Sequence, residues 1–222
     1  MQATITLTAA DGHTLPTYHT RPDGGLRGQL VILHEFFGLN DHIRSVADRF
    51  AALGFGAIVP GLSDRAEPSA EYGYDPEGIA AGRALRAKIP FEKSLLDVQA
   101  AIDFVKPDGK VGVVGYCWGG SLAFFAATRL KDIVCAVGYY GSQIVDGVHE
   151  VPKIPTMLHF GDIDASIPLS DVEKIKRART DVIIYVYPGK HGFNCDARAN
   201  YVPASAQIAF GRTLEFLGKH VG

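Results

Sequence analysis

The 222-residue chain is poor in cysteine, with single residues at positions 117, 135 and 195. Their number is odd, their spacings are wide and no C-x-x-C pair occurs, which argues against a disulfide framework and against a zinc cluster. A free thiol survives in a reducing compartment, so we expect a cytoplasmic protein.

Long apolar runs and an excess of one charge are also missing. No run reaches the roughly 18 apolar residues that a membrane helix needs, and the segment from Met1 lacks the basic start and apolar core of a signal peptide. Lysine and arginine total 22 against 24 acidic residues, a formal charge of −2. This balance gives no electrostatic reason to expect nucleic acid or a membrane surface as partner.

Motifs for metals and nucleotides are absent as well. His34 and Glu35 are not followed by the second histidine of H-E-x-x-H, and neither a P-loop nor G-x-G-x-x-G occurs. We therefore expect no metal and no cofactor. A monomer is the default expectation for the oligomeric state.

The chain does contain a regular alternation of short β-rich runs and amphipathic helical patterns, in one domain spanning residues 1–222. Strands are predicted at 3–8, 15–20, 29–33, 55–59, 110–114, 133–139, 156–160 and 182–187, the first two as an edge hairpin. Five helices are predicted. One starts at residue 41, one follows the stretch 61–78 and ends at about residue 106, one covers 119–130, one starts at about residue 170 and one covers 204–220. The polar stretch 61–78 itself is predicted as a lid or binding loop. This order predicts an α/β fold, a mainly parallel central sheet with helices on both faces.

A G-x-C-x-G pattern, Gly115-Tyr-Cys117-Trp-Gly119, joins a predicted strand to an almost wholly apolar helix. A nucleophile on such a sharp turn needs glycines two residues before and after it, so that strand and helix can approach each other. The helix N-terminus favours a thiolate. Buried cysteine is usually inert packing, but this placement favours Cys117 as a nucleophile.

A base and an acid follow the nucleophile in the order that the elbow predicts. His191 lies on a loop after a late strand, and Asp162 and Asp164 follow the strand before it. One aspartate would hold the imidazole in the required tautomer, and the other is more typical of a turn residue.

Four segments in this order resemble the dienelactone hydrolase (carboxymethylenebutenolidase) family of the α/β-hydrolase superfamily, over nearly the whole chain. They are residues 34–40 (HEFFGLN), 115–120 (GYCWGG), 164–168 (D-x-x-I-P) and 191–193 (HGF). The resemblance implies an α/β-hydrolase fold and the hydrolysis of an ester or lactone.

The resemblance also implies roles for single residues. Cys117 is similar to the family's nucleophile, His191 to its base and, through D-x-x-I-P, Asp164 to its acid. Glu35 resembles a further carboxylate that contacts the resting thiol and moves when substrate binds. A thiol that is neutral until then is protected from oxidation.

The family's oxyanion hole and carboxylate anchors map onto further positions. The backbone N–H groups of Phe36 and Trp118 correspond to the oxyanion donors, and Arg65 resembles an arginine that binds a substrate carboxylate. Better-known members place a second arginine a few residues after the histidine, where this chain has residues 193–195 without one. Either Arg198 reaches into the site from further along the chain, or the second anchor is missing.

The predicted function is therefore the opening of a dienelactone or similar enol-lactone through a Cys-His-Asp triad and a thioester. Two alternatives stay open. One is an esterase for other small carboxylic esters, and the other is a non-catalytic protein that uses the same fold for redox sensing or ligand binding.

Overall fold

The computed structural model describes residues 2–222. Within them the strands are β1 Gln2–Thr8, β2 Thr14–Thr20, β3 Gly28–Leu33, β4 Phe55–Pro60, β5 Val111–Tyr116, β6 Cys135–Tyr139, β7 Thr156–Gly161 and β8 Ile183–Tyr187. The α-helices are α1 Asp41–Ala52, α2 Pro76–Ala87, α3 Phe91–Val105, α4 Trp118–Arg129, α5 Leu169–Ala178 and α6 Pro203–His220.

The eight strands form one sheet in the order β1-β2-β4-β3-β5-β6-β7-β8. Strands β1 and β2 form the predicted antiparallel hairpin at one edge, and β2 is also antiparallel to β4. The remaining neighbours, from β4 through β8, are parallel. The predicted α/β-hydrolase fold, with a mainly parallel sheet, is confirmed.

The register of the parallel strands determines which loops meet. Leu33 at the end of β3 pairs with Gly115 near the end of β5, so the segments that carry Glu35 and Cys117 leave the sheet side by side. The loops after β7 and β8 leave at the same carboxyl edge, because β7 is parallel to β6 and β8 is parallel to β7. In open α/β sheets, this edge is where ligands bind.

Helix α1 illustrates how local sequence sets the elements. The Asn40 side chain accepts a hydrogen bond from the N–H of Ile43 at 3.2 Å, which caps the helix. Gly54, with φ of 93°, follows the helix end. Helix α4 is buried along almost its whole length, in agreement with its apolar sequence.

The prediction of one continuous helix up to about residue 106 was wrong. Helix α2 ends at Ala87 and α3 begins at Phe91, with Pro90 at the N-cap of α3. Proline lacks the N–H of a helix interior and disfavours helical geometry in the residue before it, which explains the break. The predicted loop 61–78 is also shorter, because a 3-10 turn covers Leu62–Arg65 and the side chain of Asp75 caps α2.

The three cysteines are free and buried. No helix within residues 2–222 combines the length and the apolar character that crossing a membrane requires.

Candidate active site

Cys117 occupies the turn between β5 and α4 with φ of 53° and ψ of −114°. A non-glycine residue at positive φ costs energy, and such strain is concentrated at functional sites. The turn depends on its glycines. A Cβ added to Gly115 would lie 1.9 Å from the carbonyl oxygen of Gly119, and one added to Gly119 would lie 2.2 Å from that of Leu33.

A line of hydrogen bonds connects Cys117 to an acid through an imidazole. Nε2 of His191 lies 3.0 Å from Sγ of Cys117, and Nδ1 lies 2.8 Å from Oδ2 of Asp164. The other Asp164 oxygen accepts from the N–H of Ser166 at 2.8 Å. These are the distances of a nucleophile, a base and an acid that orients the base.

The two candidate aspartates have different partners. Asp164 contacts the imidazole, whereas Oδ1 of Asp162 accepts from the N–H of Gly189 at 2.9 Å. Asp162 thereby ties the turn after β7 to the turn after β8. The amide of Asn200 donates to the backbone carbonyl of His191 at 3.0 Å and holds the histidine loop.

The charges around His191 favour its protonated form. Burial lowers the pKa of His191, but its electrostatic interaction with Cys117 and its hydrogen bond to Asp164 outweigh burial and raise the pKa to about 10. A protonated His191 at 3.0 Å from Sγ of Cys117 can stabilise a negative charge that develops on the sulfur.

Glu35 and Arg198 form a second polar pair beside the thiol. Arg198 donates to Oε1 of Glu35 at 3.0 Å, and the two side chains are only 11% and 5% exposed. The resemblance implied that Glu35 contacts the resting thiol. Within residues 2–222 Sγ of Cys117 instead lies within hydrogen-bond distance of His191, and Glu35 accepts a charge-assisted hydrogen bond from the guanidinium of Arg198.

A pocket of about 790 Å³ opens above these groups. It is lined by Phe36, Ile79, Arg83, Arg86, Cys117, Trp118, Ser142, Gln143, Ile163, Ala165, Ser166, Lys190, His191, Arg198 and Asn200. Four of these lining residues are lysine or arginine and none is aspartate or glutamate, so the pocket favours an anionic ligand.

Helix α2 contributes two arginines to this pocket that the sequence analysis missed. Arg86 is half-buried, donates to the side-chain oxygen of Gln143 and lies over the ring of Trp118. Arg83 is exposed and lies over the ring of Phe36. Their spacing of three places both on one helix face, but the sequence does not tell which face turns toward the pocket.

The placement of Arg65 corrects the expectation that it lines the site. Its guanidinium donates to both oxygens of Asp97, at 2.6 and 2.8 Å, and to both oxygens of Asp11, at 3.0 and 3.1 Å. Arg65 is absent from the pocket lining. The N–H groups of Arg65 already donate to two carboxylates, so Arg65 has no pair of donors available to bind a substrate carboxylate.

The backbone N–H groups of Phe36 and Trp118 remain as donors. Phe36 N–H has no backbone acceptor within residues 2–222, and Trp118 is the first residue of α4, where N–H groups lack partners within the helix. Both residues line the pocket next to Cys117. Two such donors beside a nucleophile can hold a developing oxyanion.

Comparison with known proteins places the chain in a family. The model of the dienelactone hydrolase family matches residues 15–221. Carboxymethylenebutenolidase 1 of Cupriavidus pinatubonensis is 31% identical over 224 residues, 96% of this chain and 95% of its own length. A Synechocystis sp. protein assigned by name to the carboxymethylenebutenolidases is 38% identical over 207 residues, 84% of this chain and 83% of its own.

A solved structure agrees with these relatives. The crystal structure of a Klebsiella pneumoniae protein assigned by name to the dienelactone hydrolases has a TM-score of 0.85 and 28% identity, covering 98% of this chain and 100% of that one. The chain therefore belongs to the dienelactone hydrolase family and is a carboxymethylenebutenolidase-like hydrolase.

Proposed function

We propose that this protein hydrolyses small carboxylic esters or enol-lactones through a thioester on Cys117. The observation that carries the proposal is the line of hydrogen bonds from Asp164 through His191 to Sγ of Cys117, at 2.8 and 3.0 Å. Cysteine, histidine and aspartate in this order are the parts of nucleophilic acyl transfer.

The geometry supports a two-step reaction. The Cys117 thiolate attacks the carbonyl carbon, and the N–H groups of Phe36 and Trp118 stabilise the resulting oxyanion. Collapse breaks the ester bond and releases the alkoxide or enolate, which takes a proton from His191. His191 then removes a proton from water, and the resulting hydroxide attacks the thioester carbonyl. The C–S bond breaks, which releases the carboxylic acid and regenerates the Cys117 thiolate beside the protonated His191.

A cysteine nucleophile favours activated substrates. Thiolates attack carbonyls readily, and an enolate is a stabilised leaving group, so opening of an enol-lactone matches the chemistry of the thiol. The name carboxymethylenebutenolidase describes such a lactone with a carboxymethylene group. Arg83, Arg86 and Lys190 line the pocket without acidic neighbours there, which supports a substrate that carries a carboxylate.

The decisive experiment follows the loss of ultraviolet absorbance of cis- and trans-dienelactone with wild type, Cys117→Ala and Cys135→Ala. Cys135 is a buried cysteine in β6 outside the pocket, and it controls for the loss of a thiol. We expect turnover by wild type and Cys135→Ala, and none by Cys117→Ala.

Two results would contradict parts of this proposal. Cleavage of p-nitrophenyl acetate without turnover of dienelactone would leave Cys117 as the proposed nucleophile, but the proposed substrate would then be a simple ester and not a lactone. Equal activity of wild type and Cys117→Ala would refute the nucleophile itself.

A further inference from the structure

His34 lies at the end of β3 between the two segments that carry the proposed oxyanion donors. Its side chain is buried, with 1% of the residue exposed. Nδ1 lies 2.5 Å from the carbonyl oxygen of Glu35, and Nε2 accepts from the N–H of Leu62 at 3.0 Å. His34 does not line the pocket.

The hydrogen-bond partners of His34 determine its tautomer. The N–H of Leu62 can only donate, so Nε2 is the acceptor and the ring proton lies on Nδ1, from where it is donated to the Glu35 carbonyl. Burial lowers the pKa of His34 to about 4, against the smaller opposing effect of that carbonyl bond. The ring is therefore neutral at neutral pH, with this one proton.

The Glu35 carbonyl belongs to the same peptide unit as the N–H of Phe36. Because a peptide unit is planar, a ring that holds the oxygen also determines the direction of the N–H at the other end. A hydrogen bond accepted by the carbonyl also polarises the amide, which makes its N–H a stronger donor.

His34 also contacts the nucleophile elbow. Its own carbonyl oxygen accepts from the N–H of Gly119 at 3.2 Å. Its ring packs edge-to-face with the indole of Trp118, with centroids 5.9 Å apart. A single buried side chain thus contacts both segments that supply an oxyanion donor.

We propose that His34 is a positioning residue for acyl transfer, which holds the N–H of Phe36 toward the oxyanion through the Glu35–Phe36 peptide. This inference rests on the proposed function, since it needs an oxyanion. This role requires both hydrogen bonds of the His34 ring. The bond from the Leu62 N–H to Nε2 keeps the ring proton on Nδ1, and the bond from Nδ1 restrains the carbonyl of Glu35.

The test compares two reactions of Cys117 that differ in their need for an oxyanion hole. Ester or lactone hydrolysis forms an oxyanion, whereas alkylation by iodoacetamide is a substitution at carbon that forms none. The variants are His34→Ala and His34→Gln, and the substrate is trans-dienelactone or p-nitrophenyl acetate, whichever wild type hydrolyses faster.

We expect His34→Ala to lower kcat by about 100-fold, in the range seen when one oxyanion donor is lost. KM and the rate of alkylation should stay within about threefold of wild type, because ground-state binding and the thiol are untouched. His34→Gln should restore kcat to within about tenfold, since an amide side chain has both a donor and an acceptor.

If His34→Ala does not fold, His34→Met replaces it, because methionine fills the space without an N–H donor. A kcat within threefold of wild type in the Ala or Met variant would overturn the inference while leaving the proposed function intact. Equal losses of hydrolysis and alkylation would show a general structural role and would also overturn it. Absence of any turnover by wild type would refute the proposed function and this inference together.

Discussion

Arg65 and Arg86 lie in the same part of the chain, between β4 and α3, but their guanidinium groups have opposite surroundings. Burial acts to lower the pKa of both. At Arg65 the hydrogen bonds and charges of Asp97 and Asp11 outweigh burial, and the pKa is raised. At Arg86, whose hydrogen-bond partner is the neutral amide of Gln143, burial prevails and the pKa is lowered.

This difference separates a cation that holds the fold together from one that is available to a ligand. Arg65 joins the loop after β1 to α3, because Asp11 and Asp97 belong to those two segments. Arg86 lies at the pocket wall, with no carboxylate among the lining residues. A bound substrate carboxylate would give Arg86 a counter-charge, as Asp97 and Asp11 do for Arg65.

Replacement of Arg65 should have the largest effect on stability. Arg65→Leu leaves Asp97, whose side chain is 0% exposed, without its counter-charge, and breaking a buried pair costs about 3–5 kcal/mol. We expect the free energy of unfolding in urea to fall by this amount, with KM unchanged at a temperature where the variant is folded.

A loss below about 1 kcal/mol would mean that the pair around Arg65 contributes no more than a surface ion pair. A raised KM for anionic substrates alone, without loss of stability, would indicate that Arg65 binds substrate. The double variant Arg65→Leu/Asp97→Leu should recover part of the loss, because it removes the unpaired charge together with its partner.

Replacement of Arg86 should change specificity instead. Arg86→Met removes a charge-assisted hydrogen bond of about 1.5–3 kcal/mol to a substrate carboxylate, so kcat/KM for dienelactone should fall about 10- to 100-fold. The corresponding value for p-nitrophenyl acetate, which is neutral, should change less than threefold.

Lys88→Met is the matched control for Arg86, because Lys88 is exposed at the end of the same helix and does not line the pocket. Equal losses on the anionic and the neutral substrate would contradict a role for Arg86 in charge recognition. An equal fall in kcat/KM for dienelactone with Lys88→Met would mean that any positive charge on α2 has this effect, and not Arg86 in particular.

The sequence was most informative where backbone chemistry restricts the choice of residue. The turn at Cys117 needs glycine two residues before and two residues after it, so this feature follows from local pattern alone. Local pattern also contains the break before α3, because Pro90 interrupts a helical periodicity that otherwise continues to about residue 106.

The sequence was least informative about pairing between distant segments. Arg65 and Arg86 are both arginines near a predicted loop, and which of them faces a carboxylate depends on where Asp11 and Asp97 lie in the fold. The bond between Arg198 and Glu35 joins residues 163 positions apart. Such contacts follow from the order of the strands, which periodicity does not specify.

Hydrogen-bond partners also account for the opposite pKa shifts of two histidines, the buried His159 and the half-buried His191. His159 has neutral hydrogen-bond partners, the hydroxyls of Tyr187 at 2.8 Å and Thr213 at 3.1 Å. Burial and the charge of Arg212 lower the pKa of His159 to about 3. His191, between Cys117 and Asp164, has a pKa raised to about 10.

The depressed pKa of His159 predicts a pH-dependent stability. The unfolded state binds a proton below a pKa of about 6.5 and the native state does not until about 3, so stability is complete above 6.5 and falls as the pH is lowered through this window. At pH 5.5 the loss from this group is about 1.4 kcal/mol. Urea unfolding at pH 7.5 and 5.5 should show a smaller decrease for His159→Gln than for wild type, by about that amount. An identical decrease in both proteins would mean that His159 keeps an ordinary pKa and that its neutral partners do not set its charge.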